Sequence, residues 1–183
     1  MPRNRQQVPK AERQSAIVEQ AATLFAVRGF RGTSVAEVGR AAGVASAAVH
    51  WYFPAKDNLF AAVLREGFTA QRASVEAASD DPRRQLVDFL AGLEPYRALH
   101  REAYERIEDS EAVREVYLEL QSWLDGRLMA IIADRAPDGA DLRLVADTAH
   151  LLFEGLLISV RKLDRPVGEV IDMLVALLVA AAS

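Results

Sequence analysis

The stretch GVASAAVHWYFPAKDNLF, Gly43 to Phe60, decides how the chain folds. An alanine-rich helix begins just after a Gly-Val pair and ends in His-Trp-Tyr-Phe. A proline follows, and then a second helix with a lysine in its first turn. Gly43 stops whatever helix precedes it, because glycine is the residue that tolerates a helix-ending turn. His50, Trp51, Tyr52 and Phe53 cannot all point inward from so short a helix. Phe53, next to the proline, is expected in the core, and some of the other rings face a partner. Pro54 fits the first position of the next helix, where its missing N–H costs nothing. Lys56 opposes the helix macrodipole. Asp57 or solvent offsets that charge in the plain reading. In the sharper one, the helix N-terminus and the ammonium together hold an anion.

Working upstream, the pattern stays helical. Ile17, Ala21, Leu24, Phe25 and Arg28 recur at helical spacing, and Gly29 closes that run as a left-handed cap would. Ser34 and Glu37 open a second helix as a capping box. Val35, Val38 and Ala42 supply its inner face, and Gly43 ends it. A third helix covers Ser46 to Tyr52. Three short helices, two of them joined by a glycine turn, form a helix-turn-helix pattern.

Downstream the chain is helical throughout, with no strand-like run, so the expected class is all-α. A long helix runs from Pro54 to about Ser79. Asp80 to Pro82 breaks it. Helices follow near Arg83–Gly92, Tyr96–Ile107 and Glu111–Arg135, then a turn at Ala136–Gly139. The last two are Leu142–Leu163 and Val167–Ala182, separated by Asp164–Pro166. The final helix is apolar almost all round beyond Met173, which demands burial on more than one side. A second copy of the chain is the expected cover, with Leu156 and Leu174 placed in the shared face.

Charge is unevenly spread. The 183 residues carry a net charge of −4. Through Lys56, however, eight basic residues (Arg3, Arg5, Lys10, Arg13, Arg28, Arg31, Arg40 and Lys56) face only Glu12, Glu19 and Glu37. A basic module therefore precedes an acidic body. The expected division is a flexible basic arm at 1–12, a helix-turn-helix domain at 13–55 and a helical body at 56–183. The chain has no cysteine, which removes disulfide and thiolate chemistry and fits a reducing compartment. The polar N-terminus has no apolar segment of the signal-peptide kind. The most apolar run, Val170 to Ala182, is too short for a bilayer and contains Asp172. A cytoplasmic protein without a membrane partner is the expectation.

Arg13 to Leu64 resembles the N-terminal DNA-binding domain of the TetR family of transcriptional regulators. The resemblance is carried by Ala21–Ala22, Leu24–Phe25 and Gly29–Phe30, by TSVAEVGRAAGV from Thr33, and by WYFPAKDNLF from Trp51. It covers about a third of the chain; the rest is similar in architecture only. The resemblance implies a homodimer that binds a palindromic operator, usually as a repressor, and is released by a small-molecule effector. By motif position, Thr33, Ser34, His50, Tyr52 and Lys56 match phosphate- or backbone-contacting residues. Ser46, Ala47, His50 and Trp51 match the exposed face of the recognition helix. The sequence departs from the family where Ala45, Ala47, Ala48 and His50 replace more polar or hydroxyl-bearing residues. Ala45 cannot cap, so Ser46 is expected to take over the cap. Ala47 and Ala48 can touch only thymine methyls, so direct base readout is thin. Arg3 and Arg5, on the arm, are candidates for reading a narrow minor groove.

Other classes find less support. His50, His100 and His150 are isolated, without the spacing of a metal site, and no phosphate loop or nucleophile motif occurs. An enzyme is not expected, nor a cofactor or metal. A helical scaffold with a decayed DNA-binding module is the alternative, motivated by the alanines of the recognition helix. Candidate effector-binding residues in the body are Phe68, Arg72, Tyr96, His100, Tyr104, Trp123, His150, Phe153 and Glu154. Arg72 and Glu154 are included because a buried charge needs a partner.

Overall fold

The computed structural model describes residues 9–137, 141–160 and 163–181. Arg3 and Arg5 lie outside the described residues. Among those described, every regular element is helical: α1 (Lys10–Arg28), α2 (Val35–Ala41), α3 (Ser46–Tyr52), α4 (Lys56–Ala78), α5 (Pro82–Leu93), α6 (Arg97–Tyr104), α7 (Glu111–Ala133), α8 (Leu142–Ile158) and α9 (Val167–Ala181). A short 3-10 turn, Glu94–Tyr96, links α5 to α6. Two compact units divide between Glu66 and Gly67. The division expected at 55/56 thus falls later, inside α4. That helix runs on unbroken through the division, which falls at Gly67.

The first unit is built around apolar positions four residues apart on α1. Ile17, Ala21 and Phe25 are fully buried. Phe25 meets Phe30 (6.0 Å between ring centroids) and the edge of Phe60 (5.1 Å), and Phe30 meets Phe60 at 4.9 Å. These three rings fasten α1 and the following loop to α4. Helix α1 starts at Lys10, earlier than the arm boundary expected at 12. Pro9 stands at its N-cap, and nothing after Pro9 breaks a helix. At its end Gly29 has φ 71° and ψ 175°. That is not the left-handed helical region expected of a C-cap, but a region open in practice to glycine alone.

Helix α2 opens with the expected capping box. The Glu37 N–H donates to Ser34 Oγ at 3.2 Å, and the Ser34 N–H donates to Glu37 Oε2 at 2.9 Å. At its other end the chain turns at Gly43, φ 68°. The turn brings the Val44 N–H onto the Gly39 carbonyl at 2.8 Å. Helix α3 then spans the expected residues, but its cap remains Ala45. Ser46 does not take over, and no side chain caps α3. Helix α4 also differs at its start. Ala55 is its cap: its carbonyl accepts from the Asn58 N–H at 3.1 Å, and its own N–H donates to Asn58 Oδ1 at 3.0 Å. Pro54 therefore lies before the cap, not at the first helical position.

In the second unit, α5, α7, α8 and α9 enclose a leucine-rich core. Leu86, Phe89, Leu124, Leu128, Ile132, Phe153, Ile171 and Val175 are all essentially inaccessible. Arg83 on α5 holds Asp172 on α9 through two 2.6 Å hydrogen bonds, which keep the Asp172 carboxyl below its ordinary range. Helix α8 stops at Ile158, short of the expected Leu163. Its end is fixed by Arg97 of α6, whose guanidinium donates to the carbonyls of Leu156 (3.1 Å) and Ser159 (3.2 Å). Helix α6 is shorter too: it covers Arg97–Tyr104, where Tyr96–Ile107 was expected.

The outer faces of α8 and α9 stay apolar. Leu144, Leu151 and Leu152 are exposed on α8, as are Met173 and Leu177 on α9. Leu156 and Leu174, expected in a shared face, instead pack half-buried against the core of their own unit. No helix among the described residues is long and apolar enough to cross a membrane.

One position tests the helix-turn-helix frame. A Cβ on Gly39 would stand 2.9 Å from the Val44 carbonyl oxygen, a backbone atom that cannot step aside alone. Gly39→Ala is expected to cost about 1–3 kcal/mol through this overpacking. Thermal denaturation followed by circular dichroism would show it. An unchanged melting temperature would mean that the turn yields freely.

Candidate nucleic-acid interface and ligand cavity

Helix α3 is amphipathic over a very short length. Val49 is fully buried and Phe53 nearly so, whereas Ala47 and His50 are exposed and Trp51 is 66% exposed. Phe53 thus lies in the core as expected, and Trp51 stands outside it. Its ring meets the edge of Tyr52 at 4.8 Å, and the ammonium of Lys10 sits 4.4 Å from its centroid. This cation–π contact joins the first residue of α1 to the exposed face of α3. Sequence spacing held no signal for it, because the two residues meet only through the tertiary fold. Ser46 and Tyr52 are half-buried. His50 Nδ1 lies 3.3 Å from the Pro54 carbonyl oxygen.

Thr33, Ser34 and Lys56 are engaged inside the unit. Thr33 is buried, and its hydroxyl donates to the Gly29 carbonyl at 2.9 Å. The Ser34 hydroxyl belongs to the α2 cap. Its hydrogen bonds hold the Glu37 carboxyl below its usual range, and Glu37 also pairs with Arg28 at 2.9 Å. Lys56 donates to the Thr33 carbonyl at 2.7 Å, and its ammonium lies 4.1 Å from the centroid of Phe30. A carbonyl oxygen and an aromatic face thus meet the charge that opposes the α4 dipole.

In the second unit a cavity of about 300 Å³ opens among α5, α6, α8 and the start of α9. Of the nine expected effector-binding residues, His100 alone lies on its wall. Phe68 stacks on the His100 ring at 5.1 Å. Arg72 is exposed and paired with Glu76 at 3.2 Å, and Tyr96 is exposed. Tyr104 packs on Tyr117 at 5.8 Å. The Trp123 indole N–H donates to Glu76 at 2.8 Å, which lowers the Glu76 pKa. His150 pairs with Asp125 at 3.0 Å, and Gln121 donates to Glu154 at 3.4 Å. Phe153 is ordinary core. The structure does not bring these nine together. Sequence reading missed Arg97, Arg165 and the leucines of the wall, since a cavity-lining leucine has the same helical spacing as a core leucine. No group of three His, Asp or Glu able to hold a metal ion occurs among the described residues.

Residues 17–63, which take in most of α1, all of α2 and α3 and the start of α4, match the family model for bacterial regulatory proteins of the tetR family. Over those residues the chain is similar to the TetR family. It is 29% identical over 117 residues to the "Probable HTH-type transcriptional regulator YttP" of Bacillus subtilis, covering 58% of this chain and 56% of that protein. It is also 29% identical over 111 residues to the HTH-type transcriptional repressor KstR2 of Rhodococcus jostii, covering 59% and 50%. The chain therefore spans about half the length of the curated relatives it matches. A TetR-family regulator from Streptomyces coelicolor shares the fold, with a TM-score of 0.72 at 20% identity over 96% of this chain and 83% of that one.

The buried imidazole gives a pH test of this helical body. His100 is 2% exposed, and burial, assisted by the Arg97 charge, depresses its pKa from 6.5 to about 4. The unfolded chain takes up this proton near 6.5, while the folded one resists until about 4. Stability from the neutral ring is therefore complete above 6.5 and declines as pH falls toward 4, by up to roughly 3 kcal/mol. Glu37, Glu76 and Asp172, whose pKa values are lowered, lose their contribution as pH falls from the ordinary carboxylate range downward. His100→Leu is expected to remove the part of the acid slope between pH 6.5 and 4. Denaturant titrations of both proteins across that window would show it; parallel profiles would contradict it.

Proposed function

We propose that the protein is a ligand-responsive transcriptional repressor of the cytoplasm. It binds a palindromic DNA operator as a homodimer and leaves it when a small molecule occupies the second unit. The observation that carries this reading is the exposed face of α3. Ala47, His50 and Trp51 stand outward on a helix held by the Gly39–Val44 turn, in the unit that bears the basic excess of the chain. A short helix presented in this way enters the major groove. Ala47 offers a methyl for thymine, His50 offers ring nitrogens, and Trp51 offers an indole N–H and a large face. Ser46 and Tyr52 flank them with hydroxyls suited to phosphate oxygens. Thr33, Ser34 and Lys56 support the frame from within, and their backbone neighbourhood is where a phosphate would approach.

The dimer of this reading forms through the outer faces of α8 and α9. Leu144, Leu151, Leu152, Met173 and Leu177 are exposed apolar side chains of the kind a second copy covers. Two copies of α3 then address two half-sites about one helical turn apart, roughly 34 Å centre to centre. A 2-fold symmetric protein reads a symmetric site.

Selection of bound sequences from a random DNA pool tests the reading directly. A dyad-symmetric consensus with retention well above a salt-matched random control is expected. Equal retention of all sequences would favour a helical scaffold with a decayed DNA-binding unit. The oligomer has its own test. Leu152→Glu and Leu177→Glu place charges on residues exposed in the protomer, so each variant should remain folded. In a dimer they would bury unpaired charge, at about 3 kcal/mol or more per interface. Light scattering should show folded monomers, and operator affinity should fall at least tenfold. An intact dimer in both variants would move the interface elsewhere.

A further inference from the structure

The cavity wall has an unusual polar inventory. Five leucines, Ala91 and Val167 make most of it. Its charged groups are already paired. Arg97 holds Glu94 at 3.1 Å and the carbonyls of Leu156 and Ser159, and Arg165 at the rim pairs with Glu169 at 3.5 Å. His100 is different. Its Nδ1 is buried without a hydrogen-bond partner. An orphaned buried polar atom costs about 1–3 kcal/mol, so the protein gains if something in the cavity satisfies the ring. Phe68, stacked on the imidazole with the planes 26° apart, fixes the ring plane. The freedom left to the ring is a half-turn about its last torsion, which exchanges nitrogen and carbon edges.

We propose that this cavity binds an uncharged, largely apolar molecule carrying a single hydrogen-bonding group, a hydroxyl or a keto oxygen, that pairs with the imidazole of His100. The proposal rests on the repressor reading for its biological consequence and names the chemical class of the effector. A cavity of about 300 Å³ is at the small end of ligand sites. At about 30 Å³ per water-sized group it admits on the order of ten non-hydrogen atoms. A carboxylate gains little here: it must break the Arg97 pairs, or settle for Arg165 at the solvated rim. An alkane fits the leucines but leaves the imidazole orphaned. An alcohol or ketone of the same length satisfies both, and the neutral ring accepts from the alcohol O–H or donates to the ketone oxygen.

Nonanol, nonan-2-one, nonanoate and nonane probe these alternatives on the full-length protein by calorimetric titration and thermal shift. Nonanol and nonan-2-one are expected to bind saturably, at least tenfold more tightly than nonanoate or nonane. His100→Leu removes the orphaned atom at nearly constant volume and should fold well. It should weaken the alcohol and ketone about tenfold while leaving nonane unchanged. Leu156→Trp fills the cavity from the α8 side and should abolish binding of all four. Tighter binding of nonanoate would overturn the proposal in favour of an anion site at Arg97 or Arg165. Equal binding of all four, or no loss in His100→Leu, would reduce the cavity to an unselective apolar space. No saturable binding would also refute it. Operator release is measured separately by fluorescence anisotropy. Probes that bind through His100 without releasing DNA would leave the cavity chemistry standing and sink the effector role. Release by another compound, with no binding at His100, would do the reverse.

Discussion

The first unit is fastened by one ammonium group. Lys56 begins α4, where the helix dipole opposes its charge, yet it bonds the Thr33 carbonyl and lies over Phe30. Thr33 in turn bonds the end of α1 through Gly29, and the next residue, Ser34, caps α2. Phe30 belongs to the ring cluster with Phe25 and Phe60. The start of α4, the end of α1 and the start of α2 are thereby held at a single junction. The position of α3 follows, because α2 fixes the turn at Gly43 and Val49 packs beneath it. A charge in an unfavourable place is thus the tie between three helices, and the carbonyl and the ring that receive it offset the dipole.

That junction shows which parts of the fold were legible. Ser34, Glu37 and Gly43 announce α2 and its turn through chemistry that acts over three or four residues, so the boundaries of α2 and α3 could be read directly. The role of Lys56 could not, since Thr33 lies far back in the sequence and enters through a backbone atom that every residue possesses. The end of α8 was illegible for the same reason. Arg97, from a different helix, takes its last carbonyls, and no glycine or proline marks the place. Local signals locate ends that are closed locally; ends closed by tertiary contacts leave no trace in the segment itself.

The cavity failed to show in the sequence on different grounds. Rings and histidines draw attention because they carry polar atoms, but in this body those atoms are mostly satisfied nearby. Trp123 bonds Glu76, and His150 bonds Asp125. Such pairs secure helix surfaces. The cavity is instead bounded by leucines, and nothing in a leucine's spacing separates a wall from a core. His100 was visible as a residue type, but its significance comes from a missing partner, which appears only when every neighbouring donor and acceptor has been placed.

The exposed face of α3 has the opposite economy. Ala45, Ala47 and Ala48 leave α3 with little to offer base edges, so in the repressor reading discrimination falls on His50 and Trp51. Trp51 is held beneath Lys10, a residue of α1. The ring is exposed even so, and the ammonium lies beside it. In that reading an indole for a base edge and a cation for a phosphate stand at one pair of side chains. Backbone attraction and base contact then come from adjacent atoms of an otherwise sparse face.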